Sequence, residues 1–237
     1  MTNQDIDIRG IQKTSLIDYP GKIASTIFFN RCNFRCPFCH NPELALGQDK
    51  NNPINPEEII EYLEKRKKWL DGVCLTGGEP TLHTGLEKFI KNIKKRGFLV
   101  KLDTNGTNPD LLETLIKKEL VDYIAMDIKA HYDDYDNVAK VKVNKQHIKK
   151  STEIIRNSKI DYEFRTTVVP PYFKKQDLLK ICKWLKGSKH YVLQQFKNDT
   201  KMIDMTLADT QSYPPKKLEE FKEIAQKYFK TCEIRGI

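Results

Sequence analysis

The sequence predicts an α/β fold, a partial (β/α)6 TIM-like barrel of parallel strands, with residues 1–237 forming a single domain. Three observations predict it. Short β-branched runs alternate with amphipathic helical stretches along the chain, which implies parallel strands and right-handed crossovers. Polar and glycine residues stand where each apolar run stops, as on the functional rim of such a sheet. Finally, 237 residues fit six strand–helix units better than eight, which usually need about 250 residues. A flat, doubly wound sheet is the runner-up. Either way, function gathers at the carboxyl ends of the strands.

Residues 1–22 form an N-terminal segment, polar at its start. The first strand candidate is 23–29, and it runs into a loop over 30–42. Asn55, Pro56, Glu57 and Glu58 read as a cap, a first-turn proline and first-turn acids, ahead of Ile59, Leu63 and Leu70 on one helical face. The run 73–76 is the second strand. Leu86, Phe89, Ile90 and Ile93 follow helical spacing, and Gly97 closes that helix. Strand 98–103 comes next, then a helix opened by Asn108-Pro109 and carrying Leu111, Leu112, Leu115 and Ile116. Strand 123–127 precedes a helix marked by Ile148 and Ile155. Strand 162–169 precedes one carrying Leu178, Ile181, Cys182 and Leu185, stopped by Gly187. Strand 191–196 is the sixth. Pro214-Pro215 leads into a last helix with Leu218, Phe221, Ala225 and Tyr228.

Hydrophobic content of 39% and charged content of 31% describe a globule with a real core. No apolar run approaches membrane-spanning length, and no targeting peptide is legible at the start. The expected location is the cytoplasm, where thiols stay reduced. Net charge is +9, spread over short basic pieces such as Lys65-Arg66-Lys67-Lys68 and Lys94-Lys95-Arg96, with acids interleaved. This pattern suits solvated helix faces better than a nucleic-acid footprint, and it is compatible with an acidic protein partner.

Cys32, Cys36 and Cys39 sit within one eight-residue stretch. A thiolate triplet this tight fits an iron–sulfur cluster yet fills only three of its four iron corners, leaving one iron open for chemistry. Two plainer readings stay open: a structural zinc site lacking its last ligand, or buried thiols. Zinc would want a second paired Cys or His cluster downstream, and the sequence offers none. Cys74, Cys182 and Cys232 are far apart and read as ordinary packing.

The strand ends carry the rest. Thr76-Gly77-Gly78-Glu79-Pro80 closes the second strand, Asp103-Thr104-Asn105-Gly106 the third, and Asp127-Ile128-Lys129 the fourth; Arg165 lies in the fifth. Gly77 and Gly78 let backbone approach a ligand. Glu79 suits an ammonium group, and Lys129 and Arg165 suit a carboxylate. Asp103 and Asp127, on neighbouring strands, need a cation, a shared proton or distance between them.

Cys-x3-Cys-x2-Cys followed by Gly-Gly-Glu-Pro resembles the radical S-adenosylmethionine (SAM) superfamily. Tyr19-Pro20-Gly21, Cys39-His40-Asn41-Pro42, Asp103-Thr104-Asn105-Gly106, Asp127-Ile128-Lys129 and Val168-Val169-Pro170 resemble the activating enzymes of glycyl radical enzymes. Pyruvate formate-lyase activase and the anaerobic ribonucleotide reductase activating proteins are the models. The resemblance implies one 4Fe–4S cluster on Cys32, Cys36 and Cys39, with SAM chelating the open iron. It places Phe38 and His40 at the adenosyl portion and Gly77, Gly78 and Glu79 at the methionyl amino group. Asp103, Thr104 and Asp127 resemble ligands of a monovalent cation; Ile128, Lys129 and Arg165 would meet the cofactor's polar groups. The implied partners are a glycyl radical enzyme, anaerobic ribonucleotide reductase among the candidates, and a low-potential electron donor such as flavodoxin or ferredoxin. One departure is evident: where a late histidine of the models holds adenosine, this sequence places Lys197. The alternatives to an activase are a radical enzyme acting on a nucleic acid or small molecule, and a non-enzymatic metal-binding module.

Overall fold

A computed structural model describes residues 5–237; positions 1–4, where the N-terminal segment and the expected domain begin, lie outside the described residues. Among the described residues, eight strands form one sheet in sequence order: β1 Ile8–Ser15, β2 Ala24–Phe29, β3 Gly72–Gly77, β4 Leu99–Thr104, β5 Tyr123–Asp127, β6 Asp161–Val168, β7 His190–Gln195 and β8 Thr231–Arg235. β1 pairs antiparallel with β2, and every later neighbour is parallel. The sheet is open, with β1 and β8 at its edges. The partial barrel of parallel strands is thus observed, with eight strands instead of the expected six.

The helices are α1 Pro42–Leu46, α2 Pro56–Lys65, α3 Leu86–Lys94, α4 Pro109–Lys117, α5 Tyr135–Ala139, α6 Lys145–Asn157, α7 Lys175–Trp184 and α8 Pro215–Ala225. Their starts follow local chemistry. Asn55 accepts a hydrogen bond from Glu57 N–H at α2, and Asn108 accepts one from Leu111 N–H at α4, each with proline in the first turn. Gly97 and Gly187 adopt φ of +85° and +87° after α3 and α7, where other residues would be strained. On α3 the side chains of Leu86, Phe89, Ile90 and Ile93 are fully buried, so the sequence stripe is the core face. They join Ile27, Leu75, Leu102, Phe164 and Leu193 of the strands in one hydrophobic cluster.

The two extra strands are edges, and edges read poorly. β1 (Ile-Arg-Gly-Ile-Gln-Lys-Thr-Ser) buries only its two end residues, so it carries little of the alternation that marks a strand. β8 has five residues, two of them charged, and docks through Arg235, which donates to both carboxylate oxygens of Glu163 at 2.7 Å. Beside its backbone pairing with β7, this edge carries an ion pair, which periodicity does not report.

The inside of the barrel is polar. Along β4, Lys101 and Asp103 lie on one side, as do Glu163, Arg165 and Thr167 along β6, by the two-residue alternation of a strand. Apolar residues between them face the helices. This alternation delivers charged side chains to the rim.

Candidate active site

The loop after β2 and the carboxyl ends of β3 to β7 surround a cavity of about 270 Å³. The loop is fixed by its own backbone. Past Phe29 the chain turns through Arg31 at φ +64°. Arg31 N–H donates to Leu44 O at 2.7 Å and Cys32 N–H to Ala45 O at 3.1 Å, so α1 props the loop. Cys39 N–H donates to Cys36 O at 3.0 Å. The Arg35 guanidinium donates to the carbonyls of Cys32 and Phe34 at 2.6 and 2.7 Å, and Arg35 N–H to Ala139 O at 2.8 Å.

Cys32, Cys36 and Cys39 all line the cavity. Cys36 is buried and the other two are half-buried. Burial pushes the Cys32 thiol up to about 12, with nearby Glu79 adding to the rise, and Cys36 up to about 11; Cys39 is raised by the same cause. Thiols so placed stay neutral until a metal cation offsets the cost of ionising them. Cys74, Cys182 and Cys232 are buried outside the cavity lining, as packing residues.

Two glycines at the end of β3 make room for this loop. Gly77 has φ +111°, and a Cβ there would meet Phe29 N at 2.5 Å and Phe29 O at 2.6 Å. A Cβ on Gly78 would lie 1.9 Å from Arg31 O. The pair therefore lets β3 approach the root of the cysteine loop, a demand made by the chain itself before any ligand. Gly78 N–H donates to Phe29 O and Glu79 N–H to Arg31 O, both at 2.8 Å.

Glu79 differs from its expected setting. Its side chain is 1% exposed. Oε1 accepts from Thr81 N–H (3.1 Å), Thr81 Oγ1 (2.6 Å) and Thr104 Oγ1 (2.8 Å), and Oε2 accepts from Asn105 N–H (2.6 Å). Burial raises its pKa despite these donors. The carboxylate ties the turn after β3 to the turn after β4. Asn105 passes the restraint on: its Nδ2 donates to Asn33 Oδ1 at 2.7 Å and reaches Cys32 Sγ at 3.8 Å.

An ionic chain lines the same cavity. Arg165 Nη1 and Nη2 each donate to Asp103 Oδ2 at 3.2 Å, and Arg165 Nε donates to Asp127 Oδ1 at 2.9 Å. Lys129 Nζ donates to Asp127 Oδ2 at 3.1 Å. Lys101, 2% exposed, pairs with Asp103 Oδ1 from below, and Thr76 Oγ1 donates to Asp103 Oδ2 at 3.3 Å. Burial alone would raise Asp127, but Arg165 and Lys129 outweigh it and hold it at about 2. The same partnerships overcome burial and keep Lys129, Arg165 and Lys101 protonated. The repulsion expected between Asp103 and Asp127 is relieved by side chains of the chain itself.

Phe38 is buried, its ring 6.2 Å from that of Tyr172. His40 Nε2 lies 3.1 Å from Lys197 O, so the residue that departs from the models meets this histidine through its backbone. Ile128, expected in the site, turns its side chain fully into the core, and the cavity wall passes from Asp127 to Lys129. Every other expected site residue lines the cavity. Sequence reasoning missed Lys101. Its signal is a lysine between Val100 and Leu102 in the middle of an apolar strand, two positions before Asp103 and hence on the same face.

The family model for the radical SAM superfamily matches residues 26–185. The chain belongs to the radical SAM superfamily. A protein of Methanocaldococcus jannaschii, provisionally named a glycyl-radical enzyme activating enzyme, is 34% identical over 235 residues, 97% of this chain and 96% of its own. The pyruvate formate-lyase-activating enzyme of Clostridium pasteurianum is 33% identical over 135 residues, 54% of this chain and 53% of that one. Among solved structures, Streptococcus suis SuiB bound to S-adenosylmethionine aligns with a TM-score of 0.68 over 87% of this chain at 13% identity. The present chain spans 48% of the SuiB chain, so the likeness concerns the barrel fold.

For a radical SAM protein the implied groups are a 4Fe–4S cluster and SAM, and the donor set fits them. Three sulfurs line one cavity and no further cysteine does, which matches a cubane with one iron left open. Thiolates on one zinc at about 2.3 Å would stand about 3.8 Å apart. Among the described residues these three do not gather within 4.8 Å of one another. No described helix is long and apolar enough to cross a membrane.

Proposed function

We propose that this radical SAM protein is an activating enzyme that installs a radical on a backbone glycine of a partner glycyl radical enzyme. One observation carries the reading: a backbone-fixed loop presents three thiols to a cavity that a fixed array of charges also lines. Its near full-length relationship to a protein named for this activity supports the substrate class.

A 4Fe–4S cluster held here would supply the single electron for reductive cleavage of SAM, the chemistry by which such a protein would remove a hydrogen atom from glycine. The chain's own residues bind, orient and shield. Cys32, Cys36 and Cys39, which line the cavity together, would hold the cluster. Lys129 and Arg165 offer positive charge to the SAM carboxylate, and the Gly77–Gly78 backbone borders its amino group. Phe38 offers an apolar wall, and His40, held at Lys197 O, closes the side toward β7. No general base is needed, because a hydrogen atom moves rather than a proton. The low-potential donor that reduces the cluster is a flavodoxin or ferredoxin in this reading, and the +9 charge favours an acidic partner.

The test is anaerobic. Protein reconstituted with iron and sulfide, reduced and given SAM is mixed with candidate glycyl radical enzymes. A glycyl doublet in the electron spin resonance spectrum supports the reading. SAM cleavage without a doublet on any candidate favours a small-molecule or nucleic-acid substrate.

A further inference from the structure

A monovalent cation beside SAM is an expectation from resemblance, and the residues that would bind it are engaged otherwise. Asp103 gives Oδ1 to Lys101 and Oδ2 to Arg165 and Thr76. Asp127 gives Oδ1 to Arg165 and Oδ2 to Lys129. Thr104, the third expected ligand, donates its hydroxyl to Glu79 Oε1 at 2.8 Å and accepts from Gly106 N–H at 3.1 Å. Its side chain is spent on the turn. Each carboxylate faces two fixed positive charges, so an added cation there would meet like charge at contact distance.

We propose that Lys101 is a positioning residue that takes the place of a monovalent cation, so that the SAM pocket of this protein is built without one. Lys101 sits beneath the pocket, almost fully buried, on the same face of β4 as Asp103. Lys101 does not itself line the cavity and reaches it only through Asp103. Its ammonium holds Asp103, Asp103 orients the Arg165 guanidinium, and Arg165 orients Asp127 and through it Lys129. A lysine is tethered, so it is present at every salt concentration, whereas a bound ion is lost on dilution. The Lys101 ammonium also lies 3.6 Å from Cys74 Sγ, and Glu163 approaches Arg165 at 3.9 Å, so both cations lie among further electron-rich groups. Removal of the Lys101 charge leaves the partly buried Asp103 Oδ1 without its lysine partner, beside a space of about one ammonium group. A sodium or potassium ion is the species that fits there.

The functional consequence rests on the SAM-binding reading above, and the test separates the two. Reconstituted protein is prepared in sodium, potassium and tetramethylammonium chloride at equal ionic strength; the last cation is too large for the gap. Melting temperature and SAM affinity by calorimetry are measured for the wild type, Lys101→Met and Lys101→Arg. The expected wild-type values are the same in all three salts. Lys101→Met is expected to melt lower in tetramethylammonium, regain stability in sodium or potassium, and bind SAM about 5- to 150-fold more tightly with the small ion, the usual range of coupling between two sites. Lys101→Arg is expected to behave as the wild type. A wild-type protein that loses SAM affinity, or melts lower, in tetramethylammonium overturns the proposal. A Lys101→Met protein indifferent to the cation also overturns it. Should that variant not fold, the wild-type comparison alone decides. If no form binds SAM, the functional reading fails, while the melting comparison still reads the partner of Asp103.

Discussion

Replacing Arg165 by methionine would remove the bridge on which the charged wall depends. The side chain keeps a similar length and loses its charge. Three hydrogen bonds disappear: two to Asp103 Oδ2 and one to Asp127 Oδ1. Breaking a buried pair by removing one partner costs about 3–5 kcal/mol. The lower end applies, because Lys101 still holds Asp103 and Lys129 still holds Asp127. About 3 kcal/mol in a chain of this length corresponds to a fall of roughly 6–12 °C in melting temperature. The pH dependence carries more information. In the wild type Asp127 is depressed from 3.8 to about 2, so its contribution is complete above pH 4 and fades only as pH falls toward 2. Between pH 8 and 5 it adds no slope. In the variant the carboxylates lose their shared guanidinium, and protonation of one relieves their repulsion. Folded protein then binds protons more readily than unfolded protein, so the variant's deficit should shrink as pH drops from 7 to 5. Thermal melts of both proteins across that window measure it. A deficit that stays constant, or widens toward pH 5, would refute the bridging account.

Further outcomes follow from single contacts. Gly78→Ala would put a methyl group 1.9 Å from Arg31 O, so the cysteine loop must move; reconstituted iron per chain should fall by more than half while far-ultraviolet circular dichroism is kept. Cys36→Ser should lose the cluster and Cys182→Ser retain it, since only the first lines the cavity; iron analysis of the two variants distinguishes them. Glu79→Gln turns an acceptor of four hydrogen bonds into a group with two donors. It should cost about 1–3 kcal/mol by leaving a buried N–H or hydroxyl unpaired, read as a lower denaturation midpoint with an unchanged slope.

The parallel core strands and most of their helices were legible because burial imposes period. Leu86, Phe89, Ile90 and Ile93 recur at helical spacing because one face of α3 must leave water, and caps such as Asn108-Pro109 mark where backbone donors need partners. Edges were not legible. β1 spans a stretch with arginine, glycine and lysine, and its place is set by hydrogen bonds to β2. β8 is placed by its pairing with β7 and by the Arg235–Glu163 pair, two residues 72 positions apart in the chain. In the site, chemistry-bearing residues could be named because cysteine spacing and strand-end position are local facts. Their partners could not. That Glu79 spends its carboxylate on Thr81, Thr104 and Asn105, and that Arg165 lies between two aspartates, depends on how β3 to β6 register against one another. Gly77 and Gly78 read as ligand-facing glycines, but their need for missing side chains is set by Phe29 and Arg31 on the neighbouring strand and loop.

On the proposed reading, the three-cysteine loop would hold a four-iron centre with one iron open to SAM. Electron spin resonance of the reduced, reconstituted protein before and after SAM is added tests it most directly. A 4Fe–4S signal is expected, with g-values that shift when SAM binds, and it should be lost in Cys36→Ser. A protein that takes up only zinc, or a cluster signal that SAM leaves unchanged, would contradict it.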